Sequence, residues 1–159
     1  LSLRRQRQMC IRDRYVPVVV GVDGSEVSRR ATEVAFEEAA ARGAELHAVH
    51  TWVDTQIQGP GAGYAVSEDH WKAVQAEKDE LLSSYLNELS EQYPDVVVKK
   101  AITRDRPVRA LAAAAQGAQL LVTGSHGRGG FKGMLLGSTS RALLQEAPCP
   151  MMVVRTQDL

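Results

Sequence analysis

Short, almost continuously apolar runs alternate along the chain with longer stretches in which apolar residues recur every three or four positions. The apolar runs predict strands that are buried on both faces, and they cover 15–22, 44–53, 95–103, 118–124 and 148–155. The amphipathic stretches predict helices, and they cover 26–42, 70–93, 107–116 and 138–147. Strict alternation of this kind predicts a single α/β domain with a doubly wound, five-stranded parallel sheet and helices on both faces.

Helix boundaries are marked by residues with defined capping chemistry. Ser25 is a candidate N-cap for the first helix, and Gly43 is placed to end it. Pro107 suits the first turn of the third helix, and Gly117 follows that helix as a stop. The Gly/Pro-rich stretch 54–69 is long for a plain connection, so we expect it to be mobile or to form a lid.

Ligands in open α/β sheets bind beyond the carboxyl ends of the strands, where the strand order reverses. In a sheet of order 3-2-1-4-5 the first and fourth strands are neighbours at that point. Asp23 follows the first strand, and Gly124 ends the fourth. We therefore expect the two following loops to face one crevice.

Composition and charge change this picture at the amino terminus. Residues 1–14 carry five arginines and one aspartate, and without them the 19 basic and 19 acidic residues become 14 and 18. Residues 4–13, RRQRQMCIRD, resemble the translation of a transposon adapter used to prepare DNA sequencing libraries. We interpret 1–14 as a non-native or disordered tail; a basic arm that binds nucleic acid or membrane is the alternative.

The remaining composition fits a water-soluble domain. Hydrophobic residues make up 44% of the chain, and no apolar run approaches the ~18 residues that a membrane helix needs. We expect no membrane partner and no nucleic-acid partner. Outside the tail the only cysteine is Cys149, which is compatible with a reducing cytoplasm.

The segment 124–140 contains six of the 13 glycines and separates the fourth strand from the last helix. Gly124, Gly127 and Gly137 allow positive φ angles and a close approach of the backbone to a ligand. Ser138 opens a helix whose free N–H groups favour phosphate, and the Ser138 and Ser140 hydroxyls add donors. The segment is neither a Walker A motif nor a G-x-G-x-x-G fingerprint. Composition alone also permits a flexible connection with two surface cations, Arg128 and Lys132.

Spacing gives this segment a more specific interpretation. Gly124-x-x-Gly127, nine residues and then Gly137-Ser138 resemble the signature G-2x-G-9x-G-(S/T) of the universal stress protein family. VVGVDGS, LLVTGSHGRGG and APCPMMVV, together with HT at the end of the second strand, also resemble that family. The resemblance extends from Tyr15 to about Arg155, so we expect one nucleotide-binding domain over 15–156.

The resemblance implies a cytoplasmic domain of the ATP-binding branch of the family, with Mg²⁺ carried by the phosphates and no metal site of its own. It implies a homodimer joined through the strand at 150–154. Asp23 would lie towards the ribose, and Thr51 would contact adenine through its backbone. The implied nucleotide contacts are Gly21, Val22, Asp23, Thr51, Thr123, Gly124, Ser125, His126, Gly127, Arg128, Gly137, Ser138, Thr139 and Ser140.

Other chemistry is less well supported, and we identify no catalytic residue. Asp23 could instead cap the first helix, and His47 and His50 should point to opposite faces of their strand, which disfavours a shared metal. Ser125 and His126 are adjacent and do not form a catalytic triad. We therefore expect an ATP-binding sensing or regulatory module. A slow ATPase or self-phosphorylating enzyme is one alternative, and a nucleotide-free structural dimer is another.

Overall fold

A computed structural model describes residues 16–52, 68–127 and 135–156. All the predicted strands and helices are present, in the predicted order. Their bounds are β1 Val18–Val22, α1 Glu26–Arg42, β2 Leu46–Thr51, α2 Glu68–Gln92, β3 Val98–Thr103, α3 Pro107–Ala114, β4 Leu120–Gly124, α4 Ser138–Glu146 and β5 Met151–Val154. The tail 1–14 and most of the stretch 54–69, which is predicted to be mobile or to form a lid, lie outside the described residues.

The strands form one sheet in the order β3-β2-β1-β4-β5, and every pairing is parallel. Val18 of β1 pairs with Leu46 of β2 on one side and with Leu120 of β4 on the other. The predicted doubly wound topology is therefore confirmed. The third strand is shorter than its apolar run, because Val96 N–H donates to Tyr93 O in a turn before β3 begins.

Alternating side chains of the strands feed two hydrophobic cores, one on each face of the sheet. On one face Val18 and Val20 pack with Phe36 of α1 and Leu86 of α2. On the other face Val19 and Leu121 lie among apolar residues of α3 and α4. Strands that are buried on both faces explain why their sequences are continuously apolar rather than alternating. Among the described helices, none combines the length and apolar character needed to cross a bilayer.

The predicted caps fix where the helices begin and end. The Ser25 hydroxyl accepts the Ser28 N–H at 3.2 Å, and Pro107 occupies the first turn of α3. Gly43 follows α1 in the left-handed conformation, with φ +60°. Gly117 has φ +74° in the turn between α3 and β4. Glycine adopts this conformation without the steric penalty of a Cβ.

Replacement of Gly117 isolates this backbone effect, because a Cβ there would meet no atom within 4 Å. We expect Gly117→Ala to lower the free energy of unfolding by about 1 kcal/mol, through the left-handed φ alone. Gly117→Asn should cost less, since asparagine tolerates this region better. Urea unfolding followed by circular dichroism measures both. Equal losses in the two variants would rule out φ strain as the cause.

Candidate functional site

A cleft of about 500 Å³ lies beyond the carboxyl ends of β1 and β4, on the face of the sheet that carries α3 and α4. We call it the β1–β4 cleft. Its volume falls within the range of small-molecule sites, ~300–1,000 Å³. Its position at the strand-order reversal is where open α/β sheets bind ligands.

The cleft brings together most of the residues predicted from the sequence. Those that line it are Gly21, Val22, Asp23, Thr51, Thr123, Gly124, His126, Gly127, Gly137, Ser138, Thr139 and Ser140. Ser125 does not line it and is buried behind it, only 2% exposed. Arg128 and Lys132 lie outside the described residues.

Hydrogen bonds join the last residues of the 124–140 segment to its first residues at the end of β4. Ser125 O accepts the Gly137 N–H at 2.7 Å, and Gly124 O accepts the Ser140 hydroxyl at 2.7 Å. Ser125 N–H in turn donates to Val154 O of β5. These bonds hold the first turn of α4 against the cleft. The Ser140 hydroxyl was expected to serve a ligand, but its hydrogen is committed to Gly124.

The start of α4 is well suited to bind an anion. Gly137 is the N-cap of α4, and with no side chain it cannot cap the first-turn N–H groups. Such groups, together with the helix dipole, favour phosphate. Ser138 and Thr139 line the cleft at this position. The helix therefore presents donors to the cleft without a competing side-chain acceptor from its own N-cap.

Two buried polar atoms beside the cleft have no hydrogen-bond partner among the described residues. They are Oγ1 of Thr123, whose side chain is 4% exposed, and Nε2 of His126. The other ring nitrogen of His126 lies 3.1 Å from the Ser125 hydroxyl, which orients the ring. A buried polar atom without a partner costs about 1–3 kcal/mol. A ligand in the cleft would remove that penalty.

Asp23 joins the β1–α1 turn to the cleft. Its Oδ1 accepts the Ser25 N–H at 2.9 Å, and its own N–H donates to the Ser28 hydroxyl at 3.0 Å. Ser25 caps α1, so the alternative in which Asp23 caps that helix is wrong. Oδ2 of Asp23 lies 2.7 Å from the position that a Cβ of Gly127 would occupy. Oδ1 thus stabilises the turn, while Oδ2 faces Gly127 of the 124–140 segment.

Gly124 and Gly127 are required for space and not for positive φ. None of Gly124, Gly127 and Gly137 has a positive φ, so that part of the sequence interpretation is wrong. A Cβ on Gly124 would lie 2.9 Å from Cγ1 of Val27 in α1. A Cβ on Gly127 would meet the Asp23 carboxylate instead. The first glycine therefore allows helix–strand packing, and the second allows close approach to Asp23.

Four lining residues were missed by the sequence analysis: Ser28, Val49, Pro107 and Leu111. Leu111 covers Gly21, with its Cδ1 only 3.0 Å from the position of a Cβ there. Val49 could have been found, because it lies two residues before Thr51 on the same face of β2. Leu111 and Pro107 reach the cleft only through the packing of α3, for which the sequence carries no local signal.

His47 and His50 lie three residues apart in β2, so their side chains point to opposite faces of the strand, as predicted. His50 is buried on the α1–α2 face, whereas His47 lies 3.4 Å from Glu45 near the other end of the strand. The described residues contain no cluster of three or more possible metal ligands.

At the start of α3, hydrogen bonds from Arg109 hold the pKa of the Asp105 carboxyl below its usual range. This exposed pair does not line the cleft.

Comparison with known proteins gives one consistent family. Residues 14–155 match the model of the universal stress protein family. Universal stress protein Rv2005c of Mycobacterium tuberculosis is 48% identical over 142 residues, which are 89% of this chain and 46% of that protein. Rv1996 of the same organism is 46% identical, over 89% of this chain and 44% of that protein. The chain thus spans less than half the length of these relatives.

Solved structures share the fold. UspA from Lactobacillus plantarum has a TM-score of 0.73 at 21% identity, over 89% of this chain and 99% of that one. A universal stress protein solved in complex with cAMP has a TM-score of 0.62 at 26% identity, over 88% and 96%. One from Archaeoglobus fulgidus in complex with dAMP has a TM-score of 0.61 at 24% identity, over 89% and 98%. Two of these neighbours therefore bind adenine nucleotides.

The two glycine requirements predict opposite outcomes for matched substitutions. We expect Gly124→Ala to destabilise the fold by about 1–3 kcal/mol, because its Cβ would press on Val27. Gly127→Ala should change stability much less, because its Cβ would displace only the end of the Asp23 side chain. Urea unfolding of both variants tests this. A Gly127→Ala variant as unstable as Gly124→Ala would contradict the assignment.

Proposed function

The chain belongs to the universal stress protein family, and we propose that it is an ATP-binding module whose conformation or partners respond to the nucleotide. ATP would occupy the β1–β4 cleft, with its phosphates held by the 124–140 segment. The proposal is narrower than family membership, since it specifies a ligand and a site for this chain.

The observation that carries the proposal is the pair of unpartnered buried atoms, Thr123 Oγ1 and His126 Nε2. Both residues line the same cleft as the first turn of α4. Polar atoms that a fold leaves buried and unsatisfied are expected where a ligand supplies the missing partner. A phosphate group would accept from Thr123 and from the first-turn N–H groups of α4 at once.

The same cleft offers room for the rest of an adenine nucleotide. Asp23, with one oxygen facing Gly127, would accept hydrogen bonds from the ribose hydroxyls. Val49 and Thr51 lie on β2 at the side of the cleft away from β4 and would contact the base. Support comes from a related protein, 26% identical to this chain, that was solved in complex with cAMP. The nucleotide cAMP contains the same adenosine moiety as ATP.

We propose Mg²⁺ as the companion of the phosphates rather than as a resident metal. The described lining of the cleft provides one carboxylate, Asp23, and otherwise N–H groups, hydroxyls, an imidazole and apolar side chains. Mg²⁺ commonly retains waters and uses one or two protein carboxylates together with substrate phosphates. The lining residues fit an anionic ligand that brings its own cation.

Two alternative functions predict different experimental results. A slow ATPase or self-phosphorylating enzyme would release or transfer phosphate, and Asp23→Ala would remove that activity if Asp23 contributes to it. A nucleotide-free structural dimer would bind no ATP. We favour a binding module because Asp23 supplies the one carboxylate in the described lining of the cleft, and that carboxylate is anchored to Ser25 N–H.

We also propose a homodimer, formed through the free edge of β5, in the cytoplasm. Leu121 N–H donates to Pro150 O and Ser125 N–H donates to Val154 O, so these carbonyls face β4. The alternate residues Met151 and Val153 therefore turn their N–H and C=O groups to the other edge. Within the described sheet no strand covers that edge. An apolar, uncharged edge strand invites pairing with a second strand.

Isothermal titration calorimetry of the full chain with ATP and Mg²⁺ tests the nucleotide proposal. We expect binding by the native chain and about tenfold weaker binding by Thr123→Val, which removes one hydrogen bond to a charged ligand while keeping shape. The ligand-free stability of Thr123→Val should be unchanged or higher, because an unsatisfied buried hydroxyl is lost. Gly127→Val combined with Gly137→Val should abolish binding.

Thr123→Ser is the matched control, since it retains the hydroxyl and should bind ATP nearly as well as the native chain. Circular dichroism establishes that each variant is folded. Absence of heat from the native chain at millimolar ATP would refute the proposal. Equal affinity of the Thr123→Val and native chains would remove Thr123 from the site.

The dimer is tested by sedimentation equilibrium of the full chain. Val153→Pro removes an N–H from the open edge of β5, so we expect it to shift the native dimer to monomer. Val153→Thr keeps the N–H and the branched shape and should remain dimeric. A native chain that is monomeric at micromolar concentration would contradict the proposed interface.

A further inference from the structure

A second cavity, of about 440 Å³, lies on the opposite face of the sheet from the β1–β4 cleft. We call it the α1–α2 cavity. It is formed where the ends of β1 and β2 meet α1 and α2, and the lining residues used below are Val22, Arg29, His50, Lys78, Leu82 and Tyr85. Among the described lining residues it shares only Val22 with the β1–β4 cleft.

His50 places one polar group deep in this cavity. Its side chain is only 7% exposed, and Nδ1 lies 2.7 Å from Val22 O. A carbonyl oxygen can only accept, so Nδ1 carries the hydrogen and neutral His50 has its lone pair on Nε2. Among the described residues Nε2 has no hydrogen-bond partner. Nε2 can therefore accept a hydrogen bond from a molecule in the cavity.

Arg29, an exposed residue, adds a cation to the lining of the same cavity. Its guanidinium carbon lies 4.8 Å from the centre of the Tyr85 ring, and the Tyr85 hydroxyl donates to Arg29 O at 2.5 Å. A stacked guanidinium keeps its N–H edge available for a carboxylate or phosphate. No carboxylate among the described residues lies within 4 Å of Arg29. By contrast, the next residue, Arg30, bonds to Glu33 at 2.8 Å.

The remaining lining sets the character of the ligand. Lys78 adds a second cation, which is shared with Glu77 at 2.9 Å, and Glu88 adds one carboxylate. Val22 and Leu82 are buried and apolar. With Glu88 counted and Lys78 paired to Glu77, the described lining still combines cationic groups, an apolar wall and an imidazole acceptor. A ligand that matches all three features carries an oxyanion, an apolar body and a hydroxyl or N–H donor.

We propose that the α1–α2 cavity binds a small hydroxylated organic oxyanion, a carboxylate or a phosphate monoester. The oxyanion lies on Arg29 and Lys78, the apolar body lies on Val22 and Leu82, and the hydroxyl donates to Nε2 of His50. The proposal does not depend on nucleotide binding in the β1–β4 cleft, because the two cavities lie on opposite faces of the sheet.

Heteronuclear NMR of the full chain, with the imidazole signal of His50 as reporter, tests the proposal. The probes are para-hydroxybenzoate and phenyl phosphate, which separate the two head groups, and the neutral control is para-hydroxybenzamide. We expect a saturable shift of the His50 signal with at least one oxyanion at millimolar concentration. Arg29→Gln should weaken binding at least about fivefold, because hydrogen bonds to a charged partner are lost.

Arg30→Gln is the matched control, since it removes the same charge from the neighbouring residue outside the cavity and should leave affinity unchanged. Saturating ATP should not displace the probe. The proposal is overturned if neither oxyanion shifts the His50 signal, or if the neutral amide binds equally well. It is also overturned if Arg29→Gln and Arg30→Gln weaken binding equally, which would indicate a general effect of net charge.

Discussion

The place of β1 between β2 and β4 is the constraint on which the rest of the structure depends. The same strand pairs in parallel on both sides, with Val18 opposite Leu46 and Leu120. Successive strands proceed from β1 to β3 in one direction, and the chain then returns across β1 to begin β4. The connections on the two sides carry helices to opposite faces. Because the connections leave the sheet on opposite faces, they diverge at the carboxyl end of β1, and a crevice remains between them.

Hydrogen bonds to the backbone carbonyls at the end of β4, rather than glycine content, set the shape of that crevice. Ser125 O accepts the Gly137 N–H, and Gly124 O accepts the Ser140 hydroxyl. These bonds connect residues on both sides of the 128–134 portion, so the start of α4 keeps its place against β4 through contacts within the described residues. Clearance from a missing Cβ is needed instead at Gly124, where β4 meets Val27 of α1, and at Gly127, which lies against Asp23. The site is therefore built by the ends of regular elements, which favours a precise geometry.

The sequence predicted the fold well because its signals were local or pairwise. Continuous apolar runs identified the strands, and Ser25 and Gly43 marked the ends of α1 correctly. It predicted the crevice from the strand order and from the loops that follow β1 and β4. It assigned the motif glycines to positive φ instead of to clearance, because the proximity of Val27 to Gly124 exists only after α1 packs on the sheet. Leu111 was missed for the same reason. The α1–α2 cavity was not predicted either, because it depends on how two helices meet over His50.

Val22 lies where the two cavities approach each other, because it lines both the β1–β4 cleft and the α1–α2 cavity. Its side chain lies in the core beneath α1 and α2, its carbonyl accepts from His50, and the next residue is Asp23 in the β1–β4 cleft. Asp23 N–H donates to the Ser28 hydroxyl, and Ser28 N–H donates to the Ser25 cap. Each hydrogen bond fixes the backbone where it leaves β1. The N–H and Oδ1 of Asp23 are satisfied within the turn, whereas Thr123 Oγ1 and His126 Nε2 at the end of β4 have no partner among the described residues. The unsatisfied polar atoms therefore lie on the β4 side of the cleft, next to the N–H groups of α4 that favour an anion.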